Sequence, residues 1–245
     1  MKYVTFTSIG SLELCENYLL SARTVGIEEN IIVYCLDSES LGKLQNYNCE
    51  LRSFDIPVTE EFHEYGKPQF RKVTETKIQI IINALQNMES IVYTDCDMVF
   101  RHDPTELILK ADSSVSEKHD VDIFFASDSP FMDICTGFMF IKNTENVHQL
   151  FKKYFEMSNW YRIQNSEVMY DQEIIYRMLM ENIVPLNYGV YPTSFIKNGH
   201  QYWNEPEKRT GNESVIHVNF TIGKEQKTNR LKEANLWYIQ EEVKL

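Results

Sequence analysis

Residues 90–101 read Ser-Ile-Val-Tyr-Thr-Asp-Cys-Asp-Met-Val-Phe-Arg, and this stretch predicts the fold. Residues 91–94 form a short apolar and β-branched run, which indicates a strand buried on both faces of a sheet. Asp95 and Asp97 follow at the position where open α/β sheets bind their ligands. Two such acids can hold a divalent cation and, through it, a phosphorylated substrate. An isolated Asp-x-Asp is more often a pair of solvated acids, so this hypothesis depends on the rest of the chain.

Length and charge narrow the possible classes of protein. The chain has 245 residues, which can bury one sizeable core, and we expect a single domain over residues 1–245. A formal net charge of −12 argues against nucleic-acid or anionic-membrane binding, because both require a basic surface. No apolar run approaches the ~18 residues of a membrane span. With no secretion signal and five scattered cysteines typical of reduced thiols, a cytoplasmic location is expected.

Strand and helix patterns alternate along the first half of the chain. Residues 3–7, 30–36 and 51–56 are predicted strands, with helical spacing between the first two and again from residue 74. Residues 121–127 and 138–141 are two further strands separated by a turn, and residues 215–220 are the last. Helices are expected around residues 147–155 and after Asp171, with surface loops at 59–69 and 158–170. This alternation predicts an α/β domain with a mostly parallel mixed sheet flanked by helices.

Candidate ligands for the cation and for phosphate lie far along the chain. Alternation in the last strand puts His217 and Asn219 on one face, and an imidazole suits a Mn-like ion beside two carboxylates. A lone strand histidine is, however, more often a hydrogen-bonded structural residue. Gly223 permits close backbone approach to a ligand, and Lys224 and Lys227 offer charge to phosphate oxygens. The alternative is a solvated polar tail.

Other residues have equally plausible structural roles. Asp171 and Gln172 stand at a predicted helix start, where Asp171 is explained by N-capping alone. Lys77 is compatible with a solvated helix surface, and Gly137 with a simple turn. Dinucleotide, P-loop and α/β-hydrolase functions are disfavoured, because the chain lacks Gly-x-Gly-x-x-Gly, a Walker-type loop and a Gly-x-Ser-x-Gly elbow.

Taken in order, these motifs resemble those of GT-A glycosyltransferases, specifically the nucleotide-diphospho-sugar transferases that include plant pectin xylosyltransferases. More distantly they are similar to the glycogenin and lipooligosaccharide galactosyltransferase clan. The resemblance covers most of the chain and rests on six segments, each weak alone: the helix carrying Lys77, the Asp-x-Asp strand at 90–100, residues 124–141 with Asp128 and Gly137, Asp171-Gln172-Glu173, the loop at Gly199, and His217 to Gly223 followed by Lys227.

The resemblance implies a GT-A fold of two abutting Rossmann-like halves, with residues 1–100 binding nucleotide and residues 101–245 binding acceptor. It also implies Mn²⁺ or Mg²⁺ held by Asp95, Asp97 and His217. The donor contacts that it implies, or leaves as candidates, are Phe6, Thr7, Lys77, Asp95, Asp128, Gly137, Gly223, Lys224 and Lys227. The glycogenin clan has its phosphate lysine where this chain has Gly223, so Lys224 and Lys227 both remain candidates.

The predicted function is metal-dependent transfer of a sugar from a UDP-sugar to a hydroxyl of a glycan or glycoprotein, with retention implied by the resemblance. Glucose, galactose and xylose are the candidate sugars. Asp171 or Gln172 is expected near the sugar, as nucleophile or stabiliser, and the acceptor near Trp160, Tyr161 and Trp203. The alternatives are a metal-dependent UDP-sugar hydrolase and a non-catalytic sugar-nucleotide-binding protein.

Overall fold

The computed structural model describes residues 1–54, 62–67, 69–116, 121–164 and 169–240. Its centre is a seven-stranded mixed sheet in the order β3-β2-β1-β4-β7-β6-β8, and a three-stranded sheet, β5-β10-β9, lies beside it. The strands are β1 (Tyr3–Thr7), β2 (Ile31–Cys35), β3 (Glu50–Ser53), β4 (Ser90–Thr94), β5 (Met98–Phe100), β6 (Ile123–Asp128), β7 (Met132–Lys142), β8 (Tyr188–Tyr191), β9 (Ile196–Lys197) and β10 (Val215–His217).

The predicted α/β class with a mostly parallel sheet is confirmed. Strands β3, β2, β1 and β4 are parallel neighbours, β7 runs antiparallel between β4 and β6, and β8 is parallel to β6. The seven α-helices in the described residues are α1 (Leu12–Thr24), α2 (Ser38–Lys43), α3 (Phe70–Leu85), α4 (Thr105–Ser116), α5 (Glu145–Ile163), α6 (Asp171–Met180) and α7 (Lys224–Glu233).

Both faces of the sheet are covered, which explains the continuous apolar strands. In β4, Ile91 and Tyr93 face a core built with α3, α5 and α6. Val92 faces the opposite core, which contains residues of α1, α4 and the small sheet. Since successive strand side chains point to opposite faces, a strand packed on both must be apolar throughout. Strand β4 lies between the parallel strand β1 and the antiparallel strand β7, and Asp95 follows directly at its end.

Several predicted boundaries were wrong. Strand β7 already begins at Met132, so the turn after β6 is shorter than predicted. Helix α5 continues to Ile163 through the predicted loop at 158–170, of which residues 165–168 lie outside the described residues. The last strand ends at His217, and the predicted polar tail contains α7. Residues 55–61 and 68 also lie outside the described residues, so the loop predicted at 59–69 is described only in part.

Two further observations concern the cysteines and the lengths of the helices. The five cysteines are free thiols, as predicted, and three of them are buried. Among the helices of the described residues, none is both long enough and apolar enough to cross a membrane.

Candidate active site

Three segments bring together Asp95, Asp97 and His217. Asp95 follows β4, and Asp97 immediately precedes β5, which pairs antiparallel with β10 so that Met98 lies opposite His217. This register puts Nε2 of His217 3.2 Å from Oδ1 of Asp97 and 3.8 Å from Oδ2 of Asp95. One ligand atom from each of the three residues lies within 4.8 Å of the others. The predicted triad is therefore a real spatial cluster.

The donor set of this cluster fits a divalent cation. Two carboxylates and an imidazole suit a Mn-like ion. Burial acts to raise the pKa of Asp97, but Lys227 and His217 outweigh it and hold that pKa well below its usual range. Burial likewise acts to lower the pKa of His217, but Asp97 outweighs it and raises the pKa to about 10. The Asp97 carboxylate is thus built to remain ionised beside a positive partner.

Gly137 on β7 lets the central sheet approach this cluster. A Cβ at position 137 would lie 2.4 Å from Cε1 of His217 and 2.8 Å from Oδ2 of Asp95. The carbonyl oxygen of Gly137 also accepts a 2.8 Å hydrogen bond from the backbone N–H of Asp95. Close packing against two candidate ligands therefore requires a glycine at position 137. The alternative role of Gly137 in a simple turn is not needed to explain this residue.

Lys77 is a buried cation between two carboxylates. Its Nζ lies 2.7 Å from Oδ2 of Asp171 and 3.3 Å from Oδ1 of Asp95, and only 8% of its side chain is exposed. Burial acts to lower the pKa of Lys77, but Asp171 and Asp95 outweigh it and raise that pKa above its ordinary value. Thr136 donates a 2.8 Å hydrogen bond to the same oxygen of Asp171. Lys77 therefore joins the end of β4 to the start of α6.

This geometry corrects the alternative structural role of Asp171. The residue is the first of α6 and not its N-cap, which is Tyr170. Glu173 takes the capping task, since its side chain accepts a 3.0 Å hydrogen bond from the backbone N–H of Tyr170. The Asp171 carboxylate is thereby available to contact Lys77 and the cavity.

Gln172 belongs to a polar chain beside the cluster. Its amide nitrogen donates to Oδ2 of Asp128 at 2.9 Å, and its amide oxygen lies 3.3 Å from the backbone nitrogen of Thr136. Asn219 donates to the other oxygen of Asp128 at 3.1 Å. Burial raises the pKa of Asp128 above its ordinary value, although these hydrogen bonds and the charge of His217 oppose it. The amide of Gln172 is consequently held in one orientation.

Helix α7 separates the two candidate lysines. Lys227 forms an ion pair with Oδ2 of Asp97, whereas Lys224 pairs with Glu13 of α1 at 3.0 Å. Gly223 precedes the helix with φ of +88°, in the region that favours glycine, and a Cβ there would meet Oε1 of Gln226 at 2.3 Å. The turn at Gly223 thus starts a helix whose first turn directs Lys227 to the acids.

Two adjoining cavities contain most of the predicted site. The larger, of about 440 Å³, and the smaller, of about 140 Å³, share Lys77, Asp95, Asp97 and Lys227 on their walls. Phe6 lines the smaller cavity. Thr7 and Lys224 line neither cavity, and the buried Thr7 hydroxyl lies 3.0 Å from Oγ of Ser11. The remaining predicted residues line the larger cavity: Asp128, Gly137, Asp171, Gln172, His217 and Gly223.

The aromatic residues predicted for the acceptor lie elsewhere. Trp160 is exposed on α5, Tyr161 is buried in the core, and Trp203 packs against Tyr202, and none of the three lines either cavity. The aromatic residues that the structure does place on the larger cavity are Phe62, Tyr65, Phe70, Tyr170 and Phe220.

Phe131 and Phe220 form an exposed pair that the sequence prediction missed. Their ring centroids are 5.0 Å apart, and His200 packs edge-on against both rings. Phe131 is 59% exposed and Phe220 is 40% exposed. Phe220 has φ of +55°, an uncommon conformation for a bulky residue and one that recurs at ligand sites. Phe220 follows Asn219 directly, and that proximity to the predicted motif was the one available sequence signal.

Comparisons with known proteins identify the family of this chain. A family model described as nucleotide-diphospho-sugar transferase matches residues 26–231. UDP-D-xylose:L-fucose alpha-1,3-D-xylosyltransferase 3 of Arabidopsis thaliana is 24% identical over 247 residues, covering 94% of this chain and 64% of the relative. UDP-galactose:fucoside alpha-3-galactosyltransferase of Dictyostelium discoideum is 22% identical over 295 residues, covering 98% and 43%. The chain therefore spans less than two thirds of either relative.

A solved structure shares the fold. The galactosyltransferase LgtC, in complex with donor and acceptor sugar analogs, has a TM-score of 0.60 and 12% identity, with 99% of this chain and 98% of that chain covered. At this identity the likeness concerns the GT-A fold alone. The family match, which extends over most of the chain, shows that this protein belongs to the nucleotide-diphospho-sugar transferase family of glycosyltransferases.

Proposed function

We propose that this protein transfers a sugar from a UDP-sugar to a hydroxyl of a carbohydrate or glycoprotein acceptor, with a divalent cation and with retention of anomeric configuration. The observation that carries the proposal is the convergence of Asp95, Asp97 and His217 at the junction of two cavities. These residues would hold the cation, Mn²⁺ or Mg²⁺, which would neutralise phosphate charge when bound.

In this proposal the donor nucleotide occupies the smaller cavity and the sugar occupies the larger one. The smaller cavity is lined by Phe6, Ser8 and Ser11, which belong to the predicted nucleotide-binding half, residues 1–100. These side chains offer an aromatic face and hydroxyl groups. Residues 101–245 then form the acceptor half of one domain. Galactose and xylose are the favoured donor sugars, because the relatives described above are named as galactosyl- and xylosyltransferases.

Lys227 supplies the chain's own charge to the leaving group. When the bond between the anomeric carbon and the diphosphate breaks, its electron pair goes to the phosphate oxygen. The Lys227 ammonium group, beside Asp97, is positioned to balance this developing negative charge. Fixed charges in a site that excludes water stabilise such transition states strongly. This explains how a protein with a net charge of −12 can use an anionic donor.

Gln172 and Asp128 act on the sugar. The acceptor oxygen forms its bond to the anomeric carbon as the diphosphate departs, and the hydroxyl proton passes to a leaving-phosphate oxygen. We assign the stabilisation of the developing positive charge to the Gln172 amide, because Thr136 and Asp128 hold its orientation. Asp171, held by Lys77, is assigned a positioning role, and Asp128 is assigned to the sugar hydroxyls.

We place the acceptor over the pair Phe131 and Phe220. Sugar rings have apolar C–H faces that pack on aromatic side chains, and exposed apolar patches can mark a binding surface. Phe220 lines the larger cavity, and Phe131 packs on Phe220. The relatives are named for fucoside and L-fucose acceptors. A 6-deoxyhexose, whose methyl group adds apolar surface, is therefore the proposed acceptor sugar.

Calorimetry with UDP and Mn²⁺ tests this function. The expected result is UDP binding that depends on the cation, and an absence of cation-dependent binding would refute the proposal. Donor consumption with and without methyl α-L-fucoside then separates a transferase from a hydrolase, since an acceptor accelerates only the transferase. Tight binding with no turnover in either case would indicate a sugar-nucleotide-binding protein.

A further inference from the structure

The second ring nitrogen of His217 faces a cysteine. Nδ1 of His217 lies 3.7 Å from Sγ of Cys135, within the hydrogen-bond range for sulfur, while Nε2 faces Asp95 and Asp97. Both His217 and Cys135 are buried, at 5% and 3% exposure. Among the described residues, Cys135 is the hydrogen-bond partner found for Nδ1.

The position of this sulfur is fixed by its own neighbours. Cys135 lies on β7, two residues before Gly137, whose missing Cβ allows the imidazole to approach the strand. The side-chain amide of Asn219 also donates to the sulfur, at 4.0 Å, and the same amide donates to Asp128. The sulfur is thus an acceptor fixed by the sheet, the His217 strand and the adjacent loop.

The partner of one imidazole nitrogen decides what the other nitrogen can do. A neutral imidazole carries one N–H and one lone pair, and a hydrogen bond from Nδ1–H leaves the lone pair on Nε2. Metal-binding histidines commonly donate their other ring N–H to a carboxylate, a carbonyl or water. Loss of that hydrogen-bond partner lowers metal affinity about 10- to 100-fold. Sulfur is a weak acceptor, so it can orient the ring without removing its proton.

We propose that Cys135 is a positioning residue for the cation: its sulfur accepts Nδ1–H of His217 and directs the Nε2 lone pair to the space shared with Asp95 and Asp97. This inference rests on the proposed metal-dependent function. It assigns a role to a buried thiol on the wall of the larger cavity, which acts through His217.

The test compares variants that keep or remove the acceptor. Cys135→Val removes it with a side chain about one methyl group larger, Cys135→Ala removes it with a smaller side chain, and Cys135→Ser keeps it. The dissociation constant of Mn²⁺ in the presence of UDP is measured from the electron paramagnetic resonance signal of free Mn²⁺. We expect about a tenfold increase for the Val and Ala variants, and recovery to within about threefold for Ser.

A spectroscopic measurement separates positioning from general packing. With Mg²⁺ and UDP bound, the Nδ1–H of His217 should give a slowly exchanging, hydrogen-bonded ¹⁵N–H signal in the wild type and in Cys135→Ser, and a faster-exchanging signal in Cys135→Val. Cys35→Ala is the control, because Cys35 is equally buried but lies on β2 and lines neither cavity. It should bind Mn²⁺ as the wild type does.

The outcomes distinguish this inference from the function on which it rests. If the wild type binds no cation with UDP, both are refuted. If the wild type binds and either Cys135→Val or Cys135→Ala binds equally well with an unchanged imidazole spectrum, only the role of Cys135 is refuted. The same follows if Cys135→Ser is as impaired as Cys135→Val.

Discussion

Gly137 lies directly against the imidazole of His217, so closely that a Cβ at position 137 would lie 2.4 Å from Cε1. Such a contact cannot be relieved by rotating a flexible chain end, because the imidazole lies between β7 and the two acids. We predict that Gly137→Ala displaces His217 and weakens Mn²⁺ binding more than about tenfold, as expected when a ligand loses its orientation. Calorimetry with Mn²⁺ and UDP measures this loss.

The matched control is Gly42→Ala on α2, where a Cβ meets nothing within 4 Å. That variant should bind Mn²⁺ normally. Wild-type affinity in Gly137→Ala would show that the sheet and the imidazole can separate without disturbing the cluster.

His217→Ala should weaken Mn²⁺-dependent UDP binding much as Asp97→Ala does. Each change removes one of three ligands, and we expect a loss above about 100-fold, since changes one shell further out already cost about 10- to 100-fold. His148→Ala, at an exposed histidine of α5, is the control. Titration of UDP in the presence and absence of Mn²⁺ measures the loss of binding in each variant. If Asp97→Ala weakens Mn²⁺-dependent binding and His217→Ala does not, the triad is contradicted.

Lys227→Ala should lower kcat about 10²- to 10³-fold, the range for losing one donor that stabilises transition-state charge. Lys224→Ala should change kcat less than twofold, because Lys224 pairs with Glu13 on the surface. Without UDP, Lys227→Ala should not weaken Mn²⁺ binding, because Lys227 competes for Asp97. Steady-state kinetics of donor consumption would contradict the assignment if the two variants had equal effects.

Phe131→Ala should raise the KM for methyl α-L-fucoside about fivefold, which corresponds to the ~1 kcal/mol typical of an aromatic contact. The KM for the donor should change less. Trp160→Ala, at a 54% exposed ring that packs on Tyr161 while Phe131 packs on the cavity-lining Phe220, should alter neither constant. A larger effect of Trp160→Ala on the acceptor KM would return the acceptor to the site predicted from sequence.

Lys77→Met should destabilise the fold by about 3–5 kcal/mol, because it leaves the buried Asp171 without its ion-pair partner. Lys153→Met breaks a surface ion pair with Glu156, and should cost no more than about 1 kcal/mol. Urea unfolding of the two variants makes the comparison. Similar losses would mean that Asp171 finds another partner or is protonated at little cost.

The spacing of residues was enough to predict the class of fold, and together with the family resemblance it predicted that Asp95, Asp97 and His217 lie close together, which the structure confirms. Continuous apolar runs such as residues 91–94 occur where both faces of a strand are covered, so they predicted the central sheet. The alternation around His217 correctly placed His217 and Asn219 on one side, and both line the larger cavity. The cytoplasmic location and the retaining chemistry stay predictions.

Tertiary structure decided the contacts between distant segments. The direction of α7 selected Lys227 over Lys224, and the pairing of β5 with β10 put His217 against Asp97. It also packed Phe131 against Phe220, which lines the larger cavity, whereas the more conspicuous Trp160 lies away from both cavities. Local sequence patterns predict which residues form helices or strands and which side chains are buried, because these properties depend largely on neighbours along the chain. Contacts across a hundred residues depend on strand register and helix direction, and these are set only when the whole core packs.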